Sequence, residues 1–367
     1  MASDNRIDRP ASVRAGEELD LERLAEYLAA ELGLATGDLE VEQFPAGYSN
    51  LTYRVHAGGR EMVLRRPPFG SKVATAHDMG REHRILTALA GVYGKAPRPL
   101  AYCEDPAVLD APFYLMERVK GIILRGSMAA ESVPDREAMR AVAGELLVTL
   151  AELHEIDPAG AGLAGLGRPA GYLERQIEGW TRRWEKSRTD EIAAMETVVS
   201  WLRGSAPPAE RRWRPALIHN DFKYDNLVLD LADRPRVIAV LDWEMATVGD
   251  PLTDLGTTLG YWVEAGDPPA MRTLALSPTV WPGNPGRREV AERYVAARGG
   301  ELDDGDLVFY YVLGLFKIAV IVQQIYYRYR RGHTADPRFA GLIDGVRIFA
   351  RAAAQAIDRR RIDRLFD

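Results

Sequence analysis

The chain has 367 residues, of which 47% are hydrophobic and 27% are charged, and its formal net charge is −6. These fractions are typical of a soluble globular protein, and the length is sufficient for two lobes with separate cores. The acidic balance argues against a nucleic-acid-binding protein, which usually carries a basic excess. Cys103 is the only cysteine, so an intramolecular disulfide is excluded and we expect a cytoplasmic protein.

The first part of the chain predicts a helix followed by a small sheet. The polar stretch at residues 1–16 lacks the apolar segment of a signal peptide, and we predict that it forms a disordered tail. Leucines at helical spacing predict a helix over residues 19–32, with Gly33 as its C-cap. A sheet is predicted to begin at residues 38–44 and to continue as a hairpin that turns at residues 58–59.

A turn at residues 45–50 precedes the first strand of this hairpin and contains Gly47, Ser49 and Asn50. Such a hairpin can lie over nucleotide phosphates, because Gly47 permits close approach of the backbone and Ser49 offers a hydroxyl. A plain hairpin turn is the alternative, since the turn contains a single glycine. An amphipathic helix over residues 80–89 follows, and then two strands.

After residue 121 the pattern becomes helical. We predict helices over residues 134–156, 170–189, 190–203, 287–298, 306–331 and 337–361. The apolar segment at residues 307–322 is short for a membrane span and carries Lys317, so we interpret it as a buried core helix. A Pro-rich stretch at residues 267–285 could close over a substrate.

Three short apolar runs between residues 217 and 241 each bring a polar group to one end. The first leads into His219 and Asp221, the second follows Asn226, and the third ends at Asp242. This spacing predicts that an acid, an amide and a second acid converge at one edge of a small sheet. His-x-Asp, an Asn five residues later and an Asp leaving a strand follow the order of a kinase catalytic loop and metal site.

These residue types suit phosphoryl transfer, which needs a carboxylate to take a hydroxyl proton and oxygen ligands for magnesium. We therefore predict that Asp221 is the catalytic base and that Asn226 and Asp242 are ligands of Mg²⁺. His219 is interpreted as a hydrogen-bonding brace for the loop. A buried strand pair with polar turns is the alternative, but three polar termini in this order are hard to obtain from turn chemistry alone.

With these motifs, the chain resembles the aminoglycoside phosphotransferase and choline kinase-like family of small-molecule kinases. Within that family it is most similar to the kinase-like domains associated with acyl-CoA dehydrogenases. The motifs cover residues 38–265, and only helical pattern extends beyond them. The resemblance implies an α+β, protein kinase-like bilobal fold. Residues 17–118 would form a small antiparallel-sheet N-lobe, and residues 119–367 a larger, mainly helical C-lobe with the catalytic loop and substrate site.

The resemblance also implies roles for single residues. Arg65 stands at the place of the phosphate-binding lysine, and Glu82 is the helix carboxylate that pairs with it. Backbone groups of Glu117 and Val119 would hold the adenine at the interlobe hinge. Lys223 matches the catalytic-loop lysine, which could neutralise the transferring phosphoryl group. Ordinary exposed positions are the alternative for Arg65, Glu82 and Lys223.

Three residues are interpreted as supporting ones. Asp250 is predicted to be the N-cap of the next helix, with a proline at its first position. The resemblance gives Asp254 the task of tying down the catalytic loop. His154, near a helix C-terminus, is interpreted as a structural histidine rather than a catalytic one.

The implied reaction is transfer of the γ-phosphoryl group of ATP to a hydroxyl of a small molecule in the presence of Mg²⁺, and GTP is not excluded as the donor. The similarity to dehydrogenase-associated members favours a hydroxylated acyl or lipid-like acceptor. An aminoglycoside phosphotransferase, acting in antibiotic resistance, is one alternative, and a nucleotide-binding pseudokinase is the other. We expect a nucleotide and a small-molecule substrate as partners, with no nucleic acid and no membrane, and leave the oligomeric state open.

Two sets of side chains in the last third could contact the acceptor. An aminoglycoside is a polycation and would need carboxylates, which Asp267, Glu301, Asp303, Asp304 and Asp306 could supply. A less polar acceptor would suit the aromatic side chains of this region equally well: Trp262, Tyr310, Tyr311 and Phe316.

Overall fold

The computed structural model describes residues 9–44, 50–69, 78–128, 132–208, 213–334 and 336–366. These residues form two compact units. The first unit comprises described residues of Met1–Ile123, Ala161–Leu163 and Leu227–Ala246, and the second those of Leu124–Gly160, Ala164–Asn226 and Thr247–Asp367. Each unit uses separate parts of the chain, whereas the predicted lobes divide it once, between residues 118 and 119.

The first unit is built on a five-stranded antiparallel sheet. Its strands are β1 (Glu40–Gln43), β2 (Leu51–Ala57), β3 (Arg60–Arg66), β4 (Pro99–Cys103) and β5 (Phe113–Glu117). They lie in the order β1-β2-β3-β5-β4. Alternate residues of β2 are buried, as expected of a strand with one face on a core. That core includes Tyr53, Leu64 and Leu115, and Leu24 and Leu28 pack against them.

The first unit also contains three helices and a second hairpin, in which β7 (Leu227–Asp230) pairs with β8 (Arg236–Val240). The helices are α1 (Leu21–Leu32), α2 (Met79–Leu89) and α3 (Pro106–Leu109). Asp20 caps the start of α1, and Gly33 ends it in the left-handed conformation with φ 63°, as predicted. Residues 9–16 lie in the predicted disordered tail, but Ala11 exchanges two backbone hydrogen bonds of 2.8 Å with Gln43. This part of the tail is therefore attached to the sheet.

The second unit is mainly helical, as the sequence predicted for the C-terminal part. Its helices are α4 (Arg136–Glu155), α5 (Tyr172–Ser187), α6 (Ala193–Gly204), α7 (Pro251–Tyr261), α8 (Pro269–Arg272), α9 (Arg287–Arg298), α10 (Asp304–Arg330) and α11 (Leu342–Arg359). A short 3-10 turn, Pro337–Phe339, precedes α11, so the last predicted helix begins later than expected. Strands β6 (Ala216–Ile218) and β9 (Thr247–Gly249) form a two-stranded antiparallel ladder.

Helix α10 is the centre of the second unit. A Cβ atom at Gly314 would lie 2.0 Å from the carbonyl oxygen of Gly256 on α7, so the two helix backbones touch with no side chain between them. Among the described residues α10 is the one helix long and apolar enough to cross a membrane, with a mean hydropathy of 1.9. However, 83% of its most apolar window is buried inside the protein, which fits the predicted core helix.

Candidate active site

The predicted catalytic segment contributes to two separate ladders. In the second unit, β6 pairs with β9 and leads into His219 and Asp221. In the first unit, β7 (Leu227–Asp230) pairs with β8 (Arg236–Val240), and Asp242 follows that hairpin. The expectation that the three polar ends meet at one edge of a single sheet is therefore wrong. A polar loop separates β6 from β7 in the sequence. The partner of β6 is β9, which follows the hairpin formed by β7 and β8.

Asp221 lies at the centre of a small group of polar side chains in the second unit. The Lys223 ammonium is 2.5 Å from Oδ2 of Asp221, and Nδ2 of Asn226 donates to the same oxygen at 3.0 Å. Burial opposes the charge of Lys223, but Tyr261 and Asp221 outweigh it and raise its pKa, so the ammonium stays protonated. Lys223 also lies over the Tyr261 ring, 4.8 Å from its centroid. The predicted base and the catalytic-loop lysine are thus in direct contact.

The amide of Asn226 has a defined orientation. Its Nδ2 donates both to the backbone carbonyl of Asp221, at 2.8 Å, and to the carboxylate. Its oxygen, Oδ1, accepts no hydrogen bond from the described part of the chain. The donor end is therefore committed to the loop, and the oxygen remains available to a cation, which is the type of ligand that magnesium prefers.

The buried carboxylate of Asp254 binds the backbone of the loop that contains Asp221. The backbone N–H groups of His219 and Asn220 each donate to Asp254 at 2.5 Å, one to each oxygen. Nε2 of His154 lies 3.2 Å from the same carboxylate, and the Tyr294 hydroxyl lies 2.7 Å from Nδ1 of that ring. Burial alone would raise the pKa of Asp254, but the two histidines lower it below its ordinary value. Asp254 therefore has the supporting place that the resemblance implied, and His154 the structural one.

Helix α7 begins where it was predicted to begin. Asp250 caps it by accepting a hydrogen bond from the Leu252 N–H at 3.0 Å, and Pro251 occupies the first position. The second oxygen of Asp250 accepts the Tyr310 hydroxyl of α10 at 2.6 Å. Asp254 lies one turn further along this helix, so the cap fixes the position from which the catalytic loop is held.

The first unit contains the expected buried ion pair. The Arg65 guanidinium is 2.5 Å from Oε1 of Glu82 and 3.1 Å from Oδ1 of Asp242. Burial opposes the charge of Arg65, but Glu82, Tyr114 and Asp242 outweigh it and raise its pKa, so it is always protonated. The fork-shaped guanidinium of Arg65, on β3, joins Glu82 of α2 to Asp242, which lies two residues after the end of β8. The pairing of Glu82 with Arg65 is confirmed, and their contact with a nucleotide stays a prediction.

The chain after Asp242 is fixed by several hydrogen bonds within the first unit. Asp242 adopts the left-handed conformation with φ 69°, which Asp tolerates better than most residues. The next N–H, of Trp243, donates to Glu82 at 3.2 Å. Arg81 donates to the Glu244 carbonyl at 2.8 Å, and the Asn50 amide donates to the Glu244 side chain at 2.8 Å. These contacts hold the carboxylate of Asp242 beside Arg65.

The predicted hinge is described, but part of the predicted phosphate loop is not. The Glu117 N–H donates to the Arg98 carbonyl at 2.9 Å, so this N–H is already used by a backbone hydrogen bond. Val119 packs against an apolar cluster that includes Val228 and Ala239. Of the predicted turn residues, Gly47 and Ser49 lie outside the described residues. The nucleotide-binding roles of the turn and of the hinge therefore stay predictions.

Three contacts at the site were missed by sequence reasoning. The Asp225 carboxylate accepts the Ser277 hydroxyl at 2.8 Å, which attaches the Pro-rich segment to the catalytic loop. Burial raises the pKa of Asp225. The Tyr224 hydroxyl donates to Asn284 at 2.7 Å, a second attachment of the same segment. Lys317 of α10 donates to the Asn220 carbonyl at 2.5 Å, and the one signal for it was a lone lysine in an apolar helix.

Three of the five acids suggested for acceptor binding have other partners in the structure. Asp267 accepts two hydrogen bonds from the buried Arg287 guanidinium, at 2.7 and 2.8 Å, and Asp304 pairs with Arg288 at 2.8 Å. Asp303 caps α10. The four aromatic residues are core residues rather than a substrate wall: Trp262, Tyr310, Tyr311 and Phe316. Neither set therefore identifies the acceptor, and the expectation that the aromatics bear on it is wrong.

The donor set determines what metal the site could take. Among the described residues, no three His, Cys, Asp or Glu side chains form a cluster suited to a metal ion. A magnesium ion bound with nucleotide phosphates needs only one or two protein carboxylate or amide oxygens, because phosphates and water supply the rest. In the second unit the uncommitted oxygen of Asn226 is a ligand of this type, and in the first unit so is the carboxylate of Asp242. Each residue, taken by itself, fits magnesium.

Known proteins resemble the chain in both sequence and structure. The sequence profile of the phosphotransferase enzyme family matches residues 40–293. Acyl-CoA dehydrogenase family member 11 of Gallus gallus is 35% identical over 305 residues, which cover 82% of this chain and 38% of that protein. The chain thus spans about two fifths of the length of this curated relative.

Solved structures agree with these sequence matches. A candidate aminoglycoside phosphotransferase from Ralstonia eutropha is 30% identical, with a TM-score of 0.77 over 93% of this chain and 99% of that chain. A thermostable mutant of an aminoglycoside phosphotransferase, solved with AMP-PNP and hygromycin B, is 17% identical, with a TM-score of 0.58 over 91% of this chain and 98% of that chain. The latter shows likeness of fold alone. The resemblance to dehydrogenase-associated kinase-like domains and the predicted protein kinase-like fold are both confirmed, and the chain belongs to the phosphotransferase enzyme family.

Proposed function

We propose that this small-molecule phosphotransferase moves the γ-phosphoryl group of ATP to a hydroxyl group, with Asp221 as the catalytic base. One observation carries the proposal: the Asp221 carboxylate is held by Lys223 and Asn226 in a loop whose backbone is tied to a buried acid. A base that must meet a hydroxyl proton in one geometry needs this kind of support.

The residues of the chain have distinct tasks in this reaction. The acceptor oxygen forms a bond to the γ-phosphorus while the bond to the β–γ bridging oxygen breaks and ADP leaves. Asp221 orients the acceptor hydroxyl and takes its proton. Lys223 offsets the negative charge of the transferring group, and Arg65 binds phosphate oxygens. Magnesium bound through Asn226 and through Asp242 would supply neutralisation of phosphate charge.

Nucleotide use is supported by a protein of the same fold, the aminoglycoside phosphotransferase solved with AMP-PNP. AMP-PNP is an analogue of ATP, which favours ATP as the donor. Other neighbours of this fold are complexes with GDP, so GTP belongs in the same assay. The hinge carbonyl of Glu117 and the apolar cluster around Val119 are the groups that we propose for the purine ring.

We propose a hydroxylated acyl or lipid-like molecule as the acceptor. The similarity to an acyl-CoA dehydrogenase family member, at 35% identity, supports this class. A polycationic aminoglycoside is less favoured, because Asp267 and Asp304 already pair with arginines. Leu276, an exposed apolar residue, precedes the serine that bonds to the catalytic loop, and it suits an acceptor with an apolar part.

The experiment is a transfer assay with ATP or GTP, Mg²⁺ and two acceptor panels: hydroxyacyl thioesters with hydroxy fatty acids, and kanamycin-type antibiotics. Asp221→Asn should lower turnover by about 10²–10⁴-fold and leave nucleotide affinity within about threefold. Asp230→Asn is the matched control, because the partner of Asp230 is Arg236, to which we assign no part in the reaction. Phosphorylation of the antibiotics alone would refute the acyl class. Nucleotide binding without turnover on either panel would favour a pseudokinase.

A further inference from the structure

Lys317 is a buried lysine in the middle of the most apolar helix of the second unit. Only 5% of its surface is exposed. Its ammonium donates to the Asn220 carbonyl at 2.5 Å and lies 3.2 Å from Oδ1 of the same residue and 3.5 Å from the Thr257 hydroxyl. The backbone contact between α7 and α10 at Gly314 brings this side chain close enough to reach the loop.

Packing does not explain a charge at this position. All three hydrogen-bond partners of Lys317 are neutral oxygens, and no carboxylate of the described chain lies within ion-pair distance of it. Burial lowers the pKa of Lys317 to about 8. A methionine would fill the same space without burying a charge, so a lysine here costs stability. Such a cost is common where a residue serves function.

The charged groups around Lys317 come from three elements. Asp254 of α7 and Asp221 of the catalytic loop favour its protonated form. Lys223 of the loop and Arg183 of α5 oppose it. The Trp180 ring, also on α5, lies 5.9 Å from the ammonium. The ammonium therefore lies in the same electrostatic environment as the proposed base.

The group that Lys317 holds is the peptide directly before Asp221. Asn220 adopts the left-handed conformation with φ 68°, which Asn tolerates better than most residues other than glycine. Its N–H donates to Asp254, and its carbonyl accepts from Lys317. The two bonds fix both peptide planes that flank Asn220. They determine the direction in which the chain enters Asp221.

We propose that Lys317 is a positioning residue for phosphoryl transfer: its ammonium holds the Asn220 carbonyl, and the resulting left-handed turn orients the Asp221 carboxylate. The proposal rests on the role of Asp221 as the base. Lys317 does not touch the reacting atoms, and it acts through the backbone of the loop.

Hydrogen–deuterium exchange of the full-length chain tests the contact without any substrate. In Lys317→Met, the amides of His219 and Asn220 should exchange at least about tenfold faster, because loss of a charge-assisted hydrogen bond costs more than about 1.4 kcal/mol. Gln323→Met is the matched control. Gln323 is a buried polar residue of the same helix that bonds to the Ser187 carbonyl at 2.7 Å. The control should leave the loop amides unchanged.

Phosphate release from ATP and Mg²⁺, with water as the acceptor, tests the consequence for turnover. Lys317→Met should lower kcat by about 10–100-fold and leave the KM for ATP within about twofold. Lys317→Arg retains a permanent charge, so it should restore most of kcat. The wild-type rate should fall as pH rises through about 8, the pKa of Lys317, and Lys317→Arg should lack this fall.

The possible results distinguish failure of the role proposed for Lys317 from failure of the proposed phosphotransferase function. Unchanged loop exchange in Lys317→Met overturns the proposal, and so does equal loosening in Gln323→Met. If Lys317→Met does not fold, the pH profile of Lys317→Arg provides the test. The proposal is overturned if the rate of Lys317→Arg falls at alkaline pH as the wild-type rate does. A different result is faster loop exchange in Lys317→Met together with a wild type that phosphorylates no acceptor and hydrolyses no ATP. That result refutes the proposed function, and with it the catalytic part of the proposal.

Discussion

Replacement of Asp254 by Asn tests whether the catalytic loop depends on one buried carboxylate. Each oxygen of Asp254 accepts a backbone N–H at 2.5 Å, from His219 and from Asn220. An amide has one oxygen to accept and one NH₂ group that can only donate. In Asp254→Asn, one of the two loop N–H groups therefore loses its partner and faces another donor.

The expected loss of unfolding free energy follows from the two hydrogen bonds that Asp254 accepts. A hydrogen bond to a charged group contributes about 1.5–3 kcal/mol, and a buried N–H without a partner costs about 1–3 kcal/mol. Asp254→Asn should therefore lower the free energy of unfolding by about 3–5 kcal/mol. Because Asp221 follows Asn220 directly, turnover should also fall, by about 10–100-fold.

The effect of Asp254→Asn on stability should also depend on pH in a defined way. Burial opposes the charge of Asp254, but the contacts with His154 and His219 lower its pKa below the ordinary 3.8. A carboxylate whose folded-state pKa is lowered stabilises the protein fully above its unfolded pKa, and that stability is lost as pH falls through the folded value. The destabilisation caused by Asp254→Asn should therefore not become smaller as pH falls from 8 to about 5.

Urea denaturation followed by tryptophan fluorescence measures the difference. Asp344→Asn is the matched control, since Asp344 is an exposed helix acid paired with Arg347, and it should change stability by less than about 0.5 kcal/mol. A loss in Asp254→Asn below about 1 kcal/mol would refute the reasoning, because the loop would then be held by other groups. A loss that becomes smaller as pH falls from 8 to 5 would contradict the ionised state assigned to Asp254.

Three further predictions concern buried groups. Glu82→Gln removes the main partner of the buried Arg65, so it should lower the denaturation midpoint by the equivalent of about 3 kcal/mol, and an unchanged midpoint would contradict the ion pair. Gly314→Ala, whose Cβ would lie 2.0 Å from a carbonyl oxygen, should destabilise by at least about 1–3 kcal/mol in calorimetry, while Gly345→Ala, 3.4 Å from the end of a flexible leucine, should not. The pKa of Lys317 is lowered by burial from 10.5 to about 8, so the unfolded chain binds more protons between these values. Wild-type stability should therefore rise relative to Lys317→Met by about 3 kcal/mol from pH 7 to 10.5, and a flat difference would contradict the buried charge.

The sequence predicted those features that depend on local pattern. Helical periodicity predicted α1, α9 and α10 within about two residues at most ends. The sequence predicted that Asp221 and Asn226 converge, and in the structure a 3-10 turn at residues 224–226 brings the amide back to the acid. These features need only a short stretch of chain, so they are readable without knowledge of the packing.

Features that depend on long-range packing were not predictable in this way. Lys317 lies 97 residues from Asn220, and nothing in the period of α10 identifies which loop it faces. Tyr310 and Tyr311 could equally have lined a substrate site, since burial and binding use the same residue types. The pairing of β6 with β9 across the intervening hairpin was missed for the same reason. Register between distant strands is set by the whole core.

The backbone before Asp221 is held by two opposite charges that bind the peptide rather than each other. The carboxylate of Asp254 takes N–H groups, and the ammonium of Lys317 takes a carbonyl. A direct ion pair between them would satisfy both charges and leave the loop free. Because Asn220 supplies a backbone partner to each charge, any movement of Asn220 removes one hydrogen bond from each of the two buried charges. That cost, and not the intrinsic preference of Asn for φ 68°, keeps the residue before the base in its left-handed conformation.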